Sequence, residues 1–243
     1  MANRANRHIA PTKLPSNENI LNVIIPAAGI GKRMKSKGPK GLLPVHHGMS
    51  LLEKQIRTIL KVYPHAEIVV VGGFESGKVR NTLWGDFPVR IIHNHLYAET
   101  NVTYSVSLGL DATLPGPTLI IHGDLVFNVG AITGLAGKAS ALLIDPSDQL
   151  TEDEVGIGQQ DGMVTTLSYA LPQKWGQMAF LRNKELDLFH KAIHSRAITS
   201  QWFLYETLNY VLSGGGKFVA FCPENAKLVE VDKYEDLKKA KTI

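Results

Sequence analysis

Short, apolar, β-branched runs alternate with segments of helical periodicity over the first 145 residues, and this alternation limits the chain to a small set of folds. The β-rich runs are residues 22–26, 67–71, 89–93, 118–122 and 139–144. The segments between them that predict helices are residues 51–60, 76–83, 103–110 and 130–135. Strands and helices that alternate in this way form a mostly parallel sheet with helices on both faces. The sequence therefore predicts the α/β class, with a Rossmann-like three-layer α/β/α architecture.

The pattern changes after about residue 150. Runs 154–160 and 163–169 flank Gln160-Asp161-Gly162, a turn that is typical of a β-hairpin. The later predicted elements are helices 184–194 and 200–213, strands 217–222 and 228–231, and helix 234–241. We expect one domain, residues 20–243, in which the hairpin is an insertion into a mostly parallel, mixed sheet.

Composition and charge exclude several classes of protein. The 243 residues are 44% hydrophobic and 20% charged, as in a globular domain, and no apolar run approaches the roughly 20 residues of a membrane span. Half of the net charge of +4 falls in residues 1–19, a polar segment that we expect to be a flexible basic arm. The rest of the chain is nearly balanced, so a nucleic-acid partner is not expected. The single cysteine, Cys222, excludes an internal disulfide framework and fits a cytoplasmic protein, and the sequence leaves homo-oligomerisation open.

The loop after the first strand has the composition of a polyphosphate-binding site. Its small-residue part consists of Ala27, Ala28, Gly29, Ile30 and Gly31. The cations that follow include Lys32, Arg33, Lys35 and Lys40. Small residues let a backbone approach a ligand, loop N–H groups can point at phosphate oxygens, and Lys and Arg neutralise the phosphate charge. Ligands gather at the carboxyl ends of parallel strands, so we expect this loop and Asp124, which follows strand 118–122, to lie on one rim.

The loop matches neither of two common phosphate-binding motifs, since it lacks the third glycine of a dinucleotide fingerprint and the Gly-Lys-Ser/Thr of a P-loop. Its full spacing is Ala-Ala-Gly-x-Gly-x-Arg-Met, then Pro39-Lys40, then Leu42-Leu43-Pro44. This spacing resembles the signature of the sugar-phosphate nucleotidyltransferases and the related phosphocholine cytidylyltransferases. The later segments that match in the same order are His93-Asn94 with Tyr97, Asn101 and Ser105, then Gly123-Asp124, then Val229-Glu230-Val231-Asp232. The resemblance covers about residues 22–145 and 200–241.

The resemblance implies an enzyme, a Mg²⁺-dependent nucleotidyltransferase. Such an enzyme moves a nucleoside monophosphate from an NTP to a phosphorylated small molecule and releases pyrophosphate. CTP is the expected donor and UTP the next choice, and the expected acceptor is a sugar phosphate, phosphocholine or a phosphonate. Residues 20–145 are then the nucleotide-binding half and residues 146–243 the acceptor-binding half.

The resemblance also implies a set of site residues. The expected catalytic residues are Arg33 and Lys40. The expected nucleotide contacts are Ala27, Ala28, Gly29, Ile30, Gly31, Lys32, Gly73, Asn101, Ser105 and Gly123. The expected metal ligands are Asp124 and Asp232, with Glu230 as the substitute for Asp232. The expected acceptor contacts are Tyr97, Trp175, Trp202 and Glu206.

This chemistry needs no general base, because a phosphate monoester has a second pKa of about 6 and is mostly deprotonated at neutral pH. The lack of a Ser-His-Asp or Cys-His arrangement in the motifs is therefore consistent with nucleotidyl transfer. The reaction needs charge neutralisation and alignment of the reacting phosphates, which cations and a divalent metal supply.

Structural alternatives exist for several of these residues. Asp124 and Asp232 would also suit helix N-caps. Aromatic residues that could surround a quaternary ammonium group would serve equally as packing, namely Tyr169, Trp175, Trp202 and Tyr205.

Two other functions stay open. One is a glycosyltransferase that uses a nucleotide sugar, which usually has Asp-x-Asp where this chain has His122-Gly123-Asp124. The other is a non-catalytic nucleotide-binding protein.

Overall fold

The computed structural model describes residues 20–29, 38–46, 48–147, 152–195 and 197–243. Four predicted site residues, Ile30, Gly31, Lys32 and Arg33, lie outside the described residues, as does the predicted arm at residues 1–19.

The strands, numbered in chain order, are β1 (Asn22–Ala27), β2 (Pro44–His46), β3 (Met49–Ser50), β4 (Glu67–Gly72), β5 (Val89–His93), β6 (Thr118–Ile121), β7 (Leu125–Phe127), β8 (Ala141–Ile144), β9 (Val155–Gln160), β10 (Met163–Tyr169), β11 (Gln173–Leu181), β12 (Val219–Phe221) and β13 (Leu228–Glu230). The helices are α1 (Leu51–Val62), α2 (Ser76–Leu83), α3 (Val102–Asp111), α4 (Val129–Ile132), α5 (Asn183–Ser195), α6 (Leu204–Ser213) and α7 (Tyr234–Ala240). Short 3-10 turns occupy Lys40–Leu42 and Ala197–Gln201.

Nine strands form one mixed sheet within the described part of the chain. Their order is β5-β4-β1-β6-β11-β8-β12-β10-β9. β1 pairs in parallel with β4 and β6, and β4 pairs in parallel with β5, which gives the predicted parallel half. β11 lies antiparallel between β6 and β8, and β12 runs parallel to β8. Strands from both sides of residue 145 therefore share one sheet.

Alternate residues of the central strand β1 face opposite layers of helices. Val23 and Ile25 pack in one core cluster with residues of α1, α2 and α4. Ile24 faces the other side, where residues of α3, α5 and α6 complete a second cluster. Successive residues of a strand face opposite sides of the sheet. A strand that is covered by helices on both faces therefore needs an uninterrupted run of apolar residues. The predicted three-layer α/β/α class is confirmed.

The β9–β10 hairpin is observed where the sequence predicts it. Asp161 and Gly162 at its turn both have positive φ, 51° and 76°, the conformation that Asp-Gly favours in two-residue hairpin loops. The hairpin pairs at the edge of the sheet, through β10 with β12 and through β9 with the first residues of β11.

The short strands β2, β3 and β7 were not predicted, and two longer elements also differ from the sequence prediction. The predicted helix over 200–213 is divided, because the 3-10 turn ends at Gln201 and α6 begins only at Leu204. Strand β11 was not predicted, although it lies within the sheet, because its polar start and its internal Gly176 break the apolar pattern that marks the other strands. No helix in the described part of the chain combines the length and apolar character needed to cross a bilayer.

Candidate active site

A cleft of about 1300 Å³ opens where the parallel strands end. Its lining includes residues that directly follow four parallel strands: Ala28 after β1, Asn94 after β5, His122 after β6 and Asp145 after β8. This is the rim on which the sequence places the phosphate loop and Asp124, and both Gly29 and Asp124 line the cleft. The topology thus brings residues from distant parts of the chain to one side of the sheet.

Three carboxylates meet in the cleft. One oxygen each from Asp124, Glu230 and Asp232 lies within 4.8 Å of the others. The short antiparallel pair β7–β13 brings them together, since it sets Glu230 opposite Leu125. The Val231 N–H also donates to the Asp124 carbonyl at 2.9 Å. These contacts place side chains that are more than a hundred residues apart in sequence around one point.

The turn that carries Asp124 is fixed from two sides. The Gly123 N–H donates to the Pro26 carbonyl at 3.1 Å, which ties the turn to strand β1. From the other side, the buried amide of Gln55 donates to the carbonyls of His122 and Leu125 at 2.8 and 2.7 Å. Asp124 precedes a strand, so the helix-cap alternative for this residue is wrong.

The Lys40 ammonium lies between two of the carboxylates. Its Nζ is 3.0 Å from Asp124 Oδ2 and 2.5 Å from Asp232 Oδ1. Burial lowers the pKa of this ammonium, but the charges and hydrogen bonds of the two aspartates outweigh burial, so the pKa is raised above its ordinary value. Lys40 therefore contacts two of the three carboxylates and offsets one of their negative charges. The helix-cap alternative for Asp232 places this residue at the start of α7. The N-cap residue of α7 is instead Lys233, and the Asp232 carboxylate contacts Lys40.

Glu230 has a different environment from the two aspartates. Its Oε2 accepts a hydrogen bond from Gln177 Nε2. Burial, followed by the negative charges of Asp124 and Asp232, raises the pKa of the Glu230 carboxyl to about 7. Sequence reasoning assigned Glu230 only as a substitute ligand and did not single out Gln177, whose strand was not predicted.

These residues fit a divalent cation. Asp124 Oδ1 is buried and has no hydrogen-bond partner among the described residues, so this oxygen is oriented for a ligand that the protein itself does not supply. Three carboxylates form an oxygen donor set that suits a hard ion such as Mg²⁺. An additional positive charge would also offset the repulsion within the cluster. Asp124, Glu230 and Asp232 are the residues that could hold the ion.

Three of the four predicted glycines of the nucleotide site are among the described residues, and their surroundings differ. A Cβ on Gly123 would lie 2.6 Å from the Pro26 carbonyl oxygen, and one on Gly73 would lie 2.5 Å from Tyr97 Cβ. Gly73 does not line the cleft but packs behind Tyr97 and Ala28, which do. A Cβ on Gly29 would meet no described atom within 4 Å, so this backbone is open to a ligand.

The predicted Asn-Tyr-Asn-Ser segment lines the cleft through Asn94, Tyr97, Asn101 and Ser105. The Asn94 side-chain amide donates to Ser105 Oγ at 3.1 Å in a buried contact. Asn101 is the N-cap of α3 and accepts from the Val102 N–H at 2.8 Å. These bonds hold the polar residues in place at the cleft wall.

Another part of the cleft lining combines aromatic rings with acidic groups. The rings of Tyr169 and Tyr205 meet at 76° with centroids 5.7 Å apart, and Phe203 stacks on Tyr205 at 6.0 Å. Acidic residues outside the carboxylate cluster also line the cleft, among them Asp145, Asp153 and Glu154, and Lys174 forms ion pairs with Asp145 and Glu154.

The four predicted acceptor contacts fall into two groups. Tyr97 and Trp175 line the cleft, and the Trp175 ring is buried against His122 with centroids 5.6 Å apart. Trp202 and Glu206 do not line the cleft. Trp202 instead lies beside the ring of Tyr210, and the Glu206 carboxylate accepts from the Phe203 N–H at 2.7 Å at the start of α6.

Comparison with known proteins identifies the family. The MobA-like NTP transferase domain matches residues 23–181, which include Lys40 and Asp124. The chain belongs to this family. The interpretation of the chain as a nucleotidyltransferase, an enzyme, is therefore confirmed.

Two bacterial relatives of this MobA-like domain are bifunctional GlmU proteins. The one from Synechococcus sp. (strain JA-2-3B'a(2-13)) is 36% identical over 108 residues, 44% of this chain and 17% of the relative. The one from Kineococcus radiotolerans is 26% identical over 222 residues, 84% of this chain and 44% of the relative. The chain thus spans less than half the length of these curated relatives.

Solved structures share the fold over nearly the whole chain. The inositol-1-phosphate CTP transferase of T. maritima has a TM-score of 0.76, covers 93% of this chain and 98% of its own, and is 18% identical. The CTP:phosphocholine cytidylyltransferase of Streptococcus pneumoniae has a TM-score of 0.72, covers 92% of this chain and 98% of its own, and is 19% identical. At these identities the likeness establishes the fold alone.

Proposed function

We propose that this MobA-like domain is a Mg²⁺-dependent nucleotidyltransferase that transfers a nucleoside monophosphate, preferably CMP, from an NTP to a phosphorylated small molecule. The observation that carries the proposal is the position of Lys40 between Asp124 and Asp232, with the buried Asp124 Oδ1 left without a partner. This arrangement joins a cation suited to phosphate with carboxylates suited to a metal at the rim where the open backbone of Gly29 lies.

The reaction is a displacement at phosphorus. A phosphate oxygen of the acceptor forms a bond to the α-phosphorus, the bond from that phosphorus to the bridging oxygen of the β-phosphate breaks, and pyrophosphate leaves. Bound Mg²⁺ would offset the charge of the phosphates. Lys40 would bind the α-phosphate and the acceptor phosphate, since its ammonium contacts Asp124 and Asp232, two carboxylates that line the cleft. Arg33 and Lys32 would hold the departing phosphates, an assignment that rests on the sequence motif alone.

One observation supports CTP as the donor. The residues Asn94, Tyr97, Asn101 and Ser105, which resemble the phosphocholine cytidylyltransferase segment, line the cleft together. UTP is the next candidate, as expected from the resemblance.

The aromatic and acidic residues of the cleft support an acceptor that carries a positive charge. Aromatic faces and carboxylates both attract ammonium groups, and Tyr169 and Phe203, which are 46% and 49% exposed, line the same cleft as Asp145, Asp153 and Glu154. Phosphocholine or an aminoalkyl phosphonate would place its phosphorus group near Lys40 and its cation against these rings and carboxylates. A sugar phosphate without a cationic group would not use this attraction.

A pyrophosphate-release screen tests the proposal. The pure protein is mixed with Mg²⁺, each of the four NTPs, and a panel of phosphocholine, aminoalkyl phosphonates, inositol phosphate and hexose phosphates. We expect release with CTP and a cationic acceptor, and its loss in Asp124→Asn. Asp86→Asn is the control, because Asp86 is exposed and does not line the cleft. No release with any combination would reject the proposal, and tight NTP binding without turnover would favour a non-catalytic nucleotide-binding protein.

We also infer a cytoplasmic location from the single cysteine. Cys222 is exposed and unpaired, a state that a reducing compartment maintains.

A further inference from the structure

Strand β11 contains a non-glycine residue in a conformation that strands rarely adopt. Gln177 has a φ of 53°, in the left-handed region. The pairing of β11 with β8 shifts register between Trp175 and Ala179, which is the signature of a bulge around this residue. Such conformations cost free energy and persist only where the surrounding structure enforces them, often beside functional sites.

The packing around the bulge explains how the conformation is held. A Cβ added to the preceding Gly176 would lie 2.8 Å from Leu143 Cδ2, so glycine is needed for β11 to lie this close to β8. On the other side, the Gln177 carbonyl accepts from the His122 N–H at 3.3 Å. The bulge is thus fixed between β8 and the turn that carries Asp124.

The bulge turns the Gln177 side chain into the cleft, where its Nε2 donates to Glu230 Oε2. The Glu230 carboxylate accepts from a neutral amide, whereas Asp124 and Asp232 both contact the Lys40 ammonium. An amide donates a hydrogen bond without adding a positive charge. It therefore orients a carboxylate but does not compete electrostatically with a metal ion for it.

We propose that Gln177 is a positioning residue for the cation site, and that the β11 bulge exists to hold Glu230 in the ligand cluster with Asp124 and Asp232. This inference rests on the proposed function, because it assumes that the cluster binds a divalent cation. Without the amide, Glu230 would face two like charges and turn away from the cluster. Loss of a residue that orients a metal ligand typically lowers metal affinity by about 10- to 100-fold.

Metal affinity is measured directly with Mn²⁺ alone and with Mn²⁺ plus CTP, from the decrease of the free-ion electron paramagnetic resonance signal. Two variants remove the amide in different ways. Gln177→Gly keeps a residue that accepts positive φ without cost, so it removes the hydrogen bond while preserving the bulge. Gln177→Leu keeps the bulk of the side chain. Gln159→Leu is the matched control, because the Gln159 amide donates to Gln173 Oε1 in an exposed contact and Gln159 does not line the cleft.

We expect both Gln177 variants to bind Mn²⁺ about 10- to 100-fold more weakly than the wild type, with urea midpoints close to wild type for Gln177→Gly and unchanged affinity for Gln159→Leu. Affinities within about twofold of the wild type in both variants would overturn the positioning role and leave the proposed function intact. A wild type that binds no Mn²⁺ under either condition would overturn both proposals. Variants that fail to fold would assign Gln177 to stability and would likewise overturn the positioning role.

Discussion

Replacing Lys40 with methionine should destabilise the metal-free protein by about 2 kcal/mol. Breaking a buried ion pair by removing one partner costs about 3–5 kcal/mol, whereas an exposed pair contributes about 0–1 kcal/mol. The Lys40 side chain is 14% exposed, and those of Asp124 and Asp232 are 27% and 30% exposed, so the cluster lies between these limits. Methionine keeps the length of the side chain and removes the charge, which leaves the two aspartates in mutual repulsion.

The assay is urea unfolding in EDTA, followed by the same measurement in Mg²⁺. In Lys40→Met the ion no longer competes with an ammonium for the aspartates, so Mg²⁺ should stabilise the variant more than the wild type. A ligand at about 100 times its dissociation constant contributes about 2.7 kcal/mol, enough to recover the loss. The control is Lys78→Met, which removes an exposed pair with Glu75 and should change stability by less than about 0.5 kcal/mol. Equal stability of Lys40→Met and wild type in EDTA, or an equal response to Mg²⁺, would refute this reasoning.

Four other variants test other parts of the site. In EDTA, the stability of Glu230→Gln relative to the wild type should increase by up to about 3 kcal/mol as the pH rises from 4.5 to above 7. The pKa of Glu230 is raised to about 7 in the folded wild type, so ionising this carboxyl above pH 4.5 destabilises the folded wild type and not the variant. A difference in urea midpoints that does not change with pH would contradict this prediction. Gly29→Ala should change the free energy of unfolding by less than about 0.5 kcal/mol yet raise the KM for CTP. Gly73→Ala should be destabilised by about 1–3 kcal/mol in the same urea assay, because the added Cβ would meet Tyr97. A larger loss of stability in Gly29→Ala than in Gly73→Ala would be inconsistent with these surroundings. Phe203→Ala should raise the KM for a cationic acceptor and not that for CTP in steady-state assays, and a change in both would place Phe203 outside an acceptor site.

The sequence predicted most elements because each has a strong local signal. Helix 76–83 and strands 89–93 and 163–169 were predicted with the observed bounds. Strand β11 was missed for a physical reason: its start is polar, it contains Gly176, and its bulge depends on contacts with Leu143 and His122 that no local pattern encodes. The residue that this bulge orients, Gln177, was consequently not singled out.

The candidate site was predictable only as far as strand ends could be located. Asp124 was placed at the rim because it follows an apolar strand, and Asp232 because the late segment resembles the family motif. The contacts of both with Lys40 span 84 and 192 residues of sequence. They depend on the pairing of the predicted strand β13 with β7, a three-residue strand that the sequence did not predict. The assignment of Trp202 and Glu206 to the acceptor site rested on residue type alone, and both side chains face other partners.

The central claim is that the cleft moves a nucleotidyl group between phosphates. The most direct measurement follows CTP labelled at the α-phosphorus, incubated with Mg²⁺ and phosphocholine or an aminoalkyl phosphonate. The account predicts that the label enters the acceptor product in a one-to-one ratio with released pyrophosphate, and that Asp124→Asn abolishes both. Label that stays in CTP, or that appears as free CMP with every acceptor of the panel, would contradict it.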